Sequence, residues 1–450
     1  MSIKYLIIVS LVWAAPVLLE SAGISVGAVA VAAEKKPEKR RPAPLKERTY
    51  KALAEAQVLI DPQSIEIPEG EPTPIFPPAD PHAAIKMLNK QLERRGLNAY
   101  EVAQVWNTMA FAYYTLEDIP NTMRAYENVL KQPQKQISLA LELSAVRALF
   151  QLYYAEEKYL KSIEYMDRWE ILNGKPDTNV TFIKASGYYQ LEDFNNSLKF
   201  AKQVEELAIE QGKKIKENWL YLQVVLYNEM EDVDNVIRIL ERMVVEFPKK
   251  QYWMHLAGMY AEKEWMDKAL SAYYAAYLQG MLLKESEIVM LAQRLLNAEV
   301  PIEAANVLQK GFDSEVVEKT EKNIRILAAA YTMAQEFELA IKAWGEATVV
   351  AKDGEIYYRL AQALSNEDRH KEAVVAYRDA LDKGDLRDEL EVQFWLGISL
   401  MQLQDWSDAT KAFRAAAKDK GQAKSARQYI RYIDGEKKRL AALAEMLSGN

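Results

Sequence analysis

At 450 residues the chain is about three times the size of a usual domain, which excludes a single closed core and requires several domains or one elongated array. Half the residues are hydrophobic and 27% are charged, which excludes wholesale disorder, and a mean hydropathy of -0.26 excludes a multi-span membrane protein. A net charge of -8 repels nucleic acid, while zero cysteines and only three histidines (His82, His255 and His370) remove thiolate, iron–sulfur, cysteine–zinc and lipoprotein chemistry.

The first predicted element is a targeting segment. Lys4 precedes an apolar stretch at 5–19 (YLIIVSLVWAAPVLL), and small residues follow to AVAVAAEKK, with A-x-A or V-x-A cleavage choices before Glu34. This pattern predicts a Sec-type signal peptide over 1–33 and a periplasmic protein, which also suits the absence of cysteine. The alternative is an uncleaved inner-membrane anchor, with membrane association through this segment alone. Pro16 and a 15-residue apolar core fall short of the roughly 20 residues that a span needs.

Eleven of the sixteen prolines precede residue 82, which divides the chain into a punctuated front and a long remainder free to be helical. Residues 34–44 (EKKPEKRRPAP) read as a basic, proline-rich tether that buries nothing, carrying Lys35, Lys36, Lys39, Arg40 and Arg41. In 45–99 the sequence predicts one degenerate repeat, its helices near 45–60 and 82–95, split by a proline-rich insertion at 61–81. Tyr50, Leu53, Ala54 and Gln57 give the first of these helices its spacing.

From residue 100 to 420 apolar residues recur at three and four, with no alternating strand runs, and breaks such as LEDF, MEDV, KEWM and LQDW cut the pattern into helical hairpins. A small or apolar residue follows each second-helix start: Thr122, Ser162, Ser197, Val236, Ala269, Ala304, Ala340, Ala373 and Ala409. The gaps are 40, 35, 39, 33, 35, 36, 33 and 36, a period of about 34 with loop insertions. The clearest copy runs Trp253-x2-Leu256-Ala257-x2-Tyr260, then Ala269-x3-Tyr273-x2-Ala276. Others run Ile324-x2-Leu327-Ala328-x2-Tyr331 with Ala340-x3-Trp344-x2-Ala347, and Leu396-Gly397-x2-Leu400 with Ala409-x3-Phe413-x2-Ala416. Small residues let two helices approach closely and the large ones beside them fill the gap. Residues 421–450 carry a basic helix, AKSARQYIRYIDGEKKRL, whose polar outer face suits a terminal cap.

These hairpins resemble tetratricopeptide (TPR) repeats. The resemblance implies an all-α, superhelical solenoid of about nine hairpins with a C-terminal capping helix and a concave groove. Leu295, Leu364 and Leu400 depart from it by replacing the first-helix tyrosine, which leaves repeat boundaries less sharply defined. The stretches GLNAYEVAQVWNTMAFAYYTLEDI, KENWLYLQVVLYNEMEDV, FPKKQYWMHLAGMY, QGMLLKESEIVMLAQRLLNAEVPIEAANVLQKGF and AKSARQYIRYID are similar to the periplasmic TPR proteins associated with TonB energy-transduction systems. That likeness implies an accessory role in TonB-dependent uptake, iron uptake included, with partners in that apparatus and no catalytic motif.

The TPR resemblance also implies which residues line the groove. The position after the first-helix tyrosine places Tyr114, Tyr154 and Tyr189 there as a ladder. A mid-helix register adds Asn107, Arg147, Phe182, Tyr221, Met254, Arg325, Tyr358 and Phe394. Tyrosine and arginine anchor interfaces through large contact area and a polar tip. The alternative for the ladder is plain helix packing.

No GxxxxGK[ST], GxGxxG, HExxH or GxSxG sequence occurs, and acidic pairs such as Glu156-Glu157 fall at hairpin tips. The expectation is a non-enzymatic scaffold for protein segments, with no cofactor, metal, nucleic acid or small-molecule substrate. An envelope-assembly or cell-wall-associated scaffold is the rival reading. An enzyme built from surface carboxylates is the remaining one.

Overall fold

The computed structural model describes residues 40–64 and 76–447, and among them every regular element is helical. The expected signal peptide at 1–33, residues 34–39 of the tether and residues 65–75 of the proline-rich insertion lie outside the described residues. The fold class is the expected one: all-α, a helical-repeat array built of successive hairpins.

The chain divides into two compact units, the first ending at Leu191. The first holds α1 (Glu47–Ile60), α2 (Pro81–Leu92), α3 (Ala99–Thr115), α4 (Ile119–Leu130), α5 (Leu139–Ala155), α6 (Tyr159–Asn173) and α7 (Thr178–Gln190). The second holds α8 (Phe194–Glu210), α9 (Glu217–Glu229), α10 (Val233–Glu246), α11 (Lys250–Glu262), α12 (Met266–Leu278), α13 (Glu285–Asn297) and α14 (Pro301–Asp313). It continues with α15 (Glu321–Met333), α16 (Phe337–Thr348), α17 (Glu355–Asn366), α18 (His370–Lys383), α19 (Glu389–Gln402), α20 (Trp406–Ala416) and α21 (Ala423–Leu447).

Within each unit helices pack on their neighbours in the chain, with next-but-one contacts at α1–α3, α13–α15 and α17–α19. That is the topology of an array in which each hairpin leaves a face for the next to cover. The consequence is a core that runs on from repeat to repeat: one cluster extends from Ala276 to Ile433.

Two local features explain the spacing. All nine small or apolar positions are buried, from Thr122 to Ala409, and within each unit such a position sits where the second helix crosses the first. Five residues before each stands a non-glycine residue in the left-handed region: Glu117, Glu157, Glu192, Glu231, Glu264, Glu299, Gln335, Asp368 and Gln404, with φ of 54–60°. The residue after it donates its N–H back to the first helix, as in Asp118 to Tyr113, Trp265 to Tyr260, Val300 to Leu295 and Asp405 to Leu400, at 2.8–2.9 Å. This is the six-to-one bond of a Schellman turn. It uses the backbone carbonyl at the repeat's tyrosine position, so leucine at 295, 364 or 400 leaves it intact.

Residues 40–46 correct one expectation, that the tether buries nothing. The Arg40 guanidinium lies 2.6 Å from Glu142, which is wholly buried, and the Arg41 N–H donates to the Lys135 carbonyl at 3.2 Å. Arg168 reaches the same carboxylate at 2.6 Å. A buried carboxylate needs charged partners, and a basic segment supplies one. Close by in α3, Glu101 is also fully buried; it accepts from Thr49 Oγ1 at 2.6 Å, from the Lys46 N–H at 3.2 Å and from the Asn98 N–H at 2.9 Å.

Candidate interaction surface

A concave site needs side chains that the hairpin does not consume in its own packing. In α17, Ile356, Ala361, Ala363 and Leu364 are buried, and in α19 Val392, Leu396 and Leu400 are buried. The helical period then sends Arg359, Gln362 and Asn366 of α17, and Trp395, Ile398 and Gln402 of α19, to a common free face at i, i+3 and i+7. With Ala329, Thr332 and Met333 of α15 they border a cavity of about 750 Å³.

Its walls are held in place. The Arg359 guanidinium donates to Glu355 at 2.9 Å and to Gln362 Oε1 at 3.0 Å, and Gln362 Nε2 donates to the Tyr358 hydroxyl at 2.9 Å. Trp395 is 40% exposed and meets Phe394 edge-on, with ring centroids 5.7 Å apart. Phe394 in turn contacts the Phe413 and Tyr429 rings at 5.7 and 5.9 Å. An exposed indole braced by a ring that is itself packed on other rings is a preorganised anchor that loses little side-chain entropy on binding. At the base Ser365 and Ser399 are hydrogen-bonded at 2.9 Å, and Trp344 Nε1 donates to Thr332 at 3.2 Å. His370 sits at the edge, its Nε2 3.5 Å from Asp368.

The sequence-predicted residues are not gathered at this site. Phe182 and Tyr358 are buried, 8% and 4% exposed, which corrects their placement on an open face. The Tyr358 hydroxyl is bonded to Glu391, and burial together with that carboxylate pushes it up from its ordinary value. Phe394 is half-buried and packs edge-on against Trp395. In α17 and α19 the predicted register is one residue early, and one residue is 100° around a helix, enough to exchange a groove position for a packing position. Arg359 and Trp395 are the residues missed. The buried Leu396 and Leu400, read as the packing face, carried the signal that Trp395 lies beside it and not within it.

Elsewhere the predicted residues scatter. Arg325 borders a second recess in the same unit, of about 730 Å³, with Lys322, Ile326 and Lys352, and its guanidinium lies 3.4 Å from Glu321 and 3.7 Å from Asp353. Tyr221 is exposed and leans on Tyr252 at 6.1 Å; Arg147 is exposed; Asn107 and Met254 are half-buried. Of the ladder, Tyr114, Tyr154 and Tyr189 are all half-buried. Tyr154 packs against Phe150, Met166 and Val180 and meets Tyr159 edge-on at 5.1 Å; burial raises its hydroxyl well above its usual range. It therefore sits where a packing residue sits. Burial also lowers the His255 imidazole below its ordinary value.

No family model matches the chain, and no curated protein sequence matches it. Among solved structures it is similar to MamA, at 19% identity over 39% of this chain and 93% of that one, with a TM-score of 0.33. It is also similar to YrrB, described as a TPR protein with an unusual peptide-binding site, at 13% identity over 43% and 97% of the two chains (TM-score 0.34). A third is the TPR2AB domain of yeast Sti1 in its complex with pHSP90, at 15% identity over 65% and 96% (TM-score 0.25).

Proposed function

We propose that this chain is a non-catalytic scaffold that holds a segment of a partner protein in the groove between α15, α17 and α19. The observation that carries this reading is Trp395, an exposed aromatic ring braced by Phe394 beside a polar wall of Arg359, Gln362, Asn366 and Gln402. Amide side chains both donate and accept, so they can satisfy the backbone of an extended segment, while Met333 and Ile398 offer apolar contact.

The finer reading is a periplasmic accessory component of a TonB-dependent uptake system. It is supported by the apolar stretch at 5–19 with its small-residue flank and by the resemblance of the quoted stretches to TonB-associated TPR proteins. Export predicts a mature chain beginning between about Val31 and Lys35, released by osmotic shock; an intact Met1 in the membrane fraction would overturn it. An envelope-assembly scaffold is the alternative, and the identity of the captured partner separates the two.

The test is capture from envelope extract by the immobilised mature chain, repeated with Trp395→Ala combined with Arg359→Ala. The expected outcome is a defined partner that binds more weakly to the double variant by about 2–4 kcal/mol, with helicity and melting nearly unchanged. Equal retention by both proteins places the binding surface elsewhere.

A further inference from the structure

Within the array several cations are matched to carboxylates where helices stack: Arg168 to Glu142, Lys184 to Asp167 and Glu170, Arg242 to Glu205, and Arg378 to Asp408. At the start of α21 four cations stand together without such a partner. Lys420, Lys424, Arg427 and Arg431 are all exposed, and among the described residues none is ion-paired with a carboxylate. The nearby Asp419 carboxylate accepts the Gln422 N–H at 2.9 Å. Lys424, Arg427 and Arg431 stand at i, i+3 and i+7, on one face of the helix, and the fully buried Ala426 and Ile433 hold a different face on the core. The four cations, with Ala423 and Ile430, border a recess of about 670 Å³.

We propose that this face of α21 is a second docking site, specific for an extended acidic segment of a partner protein. Cations three or four residues apart on a helix lie about 5–6 Å from one another. Alternate side chains of an extended strand lie about 6.7 Å apart on one side. An acidic residue at every second position therefore meets one cation per turn, and the arginine forks can take carboxylates bidentately. The net charge of -8 of the whole chain opposes the long-range approach of nucleic acid, whereas a short acidic segment feels mainly the local cations within a Debye length. The site is separate from the groove and does not depend on its reading.

The test uses the full mature chain and a fluorescein-labelled peptide of alternating aspartate and threonine, followed by anisotropy, with an asparagine–threonine peptide as control. The expected result is binding of the acidic peptide only, weakened by raising salt from about 0.05 M to about 0.3 M. Lys424→Glu, Arg427→Glu and Arg431→Glu together should lower the affinity on the order of tenfold or more, while Trp395→Ala leaves it unchanged. All three substituted residues are exposed, and circular dichroism and melting confirm that the variant is folded. The proposal is overturned by absence of binding, or by equal binding to the reversed variant. Tighter binding through the same residues to phosphatidylglycerol vesicles or to a single-stranded oligonucleotide overturns it as well.

Discussion

Glu142 shows how a single side chain ties the front of the chain to the repeats. Burial alone would raise its carboxyl, but the hydrogen bonds and charges of Arg168 and Arg40 outweigh that and hold it below its ordinary 4.5. Glu101 is lowered in the same way: its hydrogen bonds from Thr49, Asn98 and Lys46 exceed the cost of burial. A carboxyl lowered on folding contributes stability that is present above its unfolded pKa and is lost as pH falls through the folded value. The first unit is therefore expected to lose stability below about pH 4.5. Glu142→Gln should cost about 2–3 kcal/mol at neutral pH and flatten that acid limb; melting curves of both proteins from about pH 3 to about pH 7 check it, and an unchanged acid limb contradicts the assignment.

At Gly397 an added Cβ would lie 2.9 Å from the Phe413 ring, which is fully buried and stacked on Tyr429 at 5.1 Å, so the ring has nowhere to go. Alanine improves helix propensity by about 1 kcal/mol, but the overlap costs about 1–3 kcal/mol. Gly397→Ala should therefore lower the melting temperature, and a rise would show that α19 and α20 can separate.

The hairpin is the unit at the next scale, and its turn is more regular than its side chains. Nine left-handed residues stand at one position of the repeat and none of them is glycine. The conformation costs an ordinary L-residue about 1 kcal/mol and a β-branched one more. Glu299, exposed between α13 and α14, is a clean place to measure this. Glu299→Val should destabilise by about 1–2 kcal/mol, whereas Glu299→Gly should be neutral or stabilising by a few tenths, since relief of strain offsets the added freedom of the unfolded chain. Equal melting of the valine and glycine variants would mean that the turn relaxes.

For a whole unit, neighbour-only packing determines how damage spreads. In α8–α21 no helix depends directly on one far along the chain, so local stability is set by a repeat and its neighbours. Hydrogen exchange on Gly397→Ala should show protection falling in α17–α21 and unchanged in α9–α12. Uniform loss across all of them would mean that the second unit unfolds as one cooperative body instead.

The sequence by itself determined the all-helical repeat fold and the nine buried small or apolar positions. These depend on local quantities: the 3.6-residue period and the small or apolar residue that recurs about every 34 residues. Tertiary structure decided which face of each first helix stays open. That choice turns on about 100° of rotation, set by which neighbouring helix consumes which side chain. A tyrosine or phenylalanine suits either a groove or a core, so Tyr154, Phe182 and Tyr358 were indistinguishable from groove residues in the sequence, and Arg359 and Trp395 were visible only beside them. The partner of Arg40 was equally hidden, because Glu142 lies a hundred residues away and nothing local marks it as buried. Spacing along the chain fixes what is periodic; burial depends on what the neighbouring repeat brings.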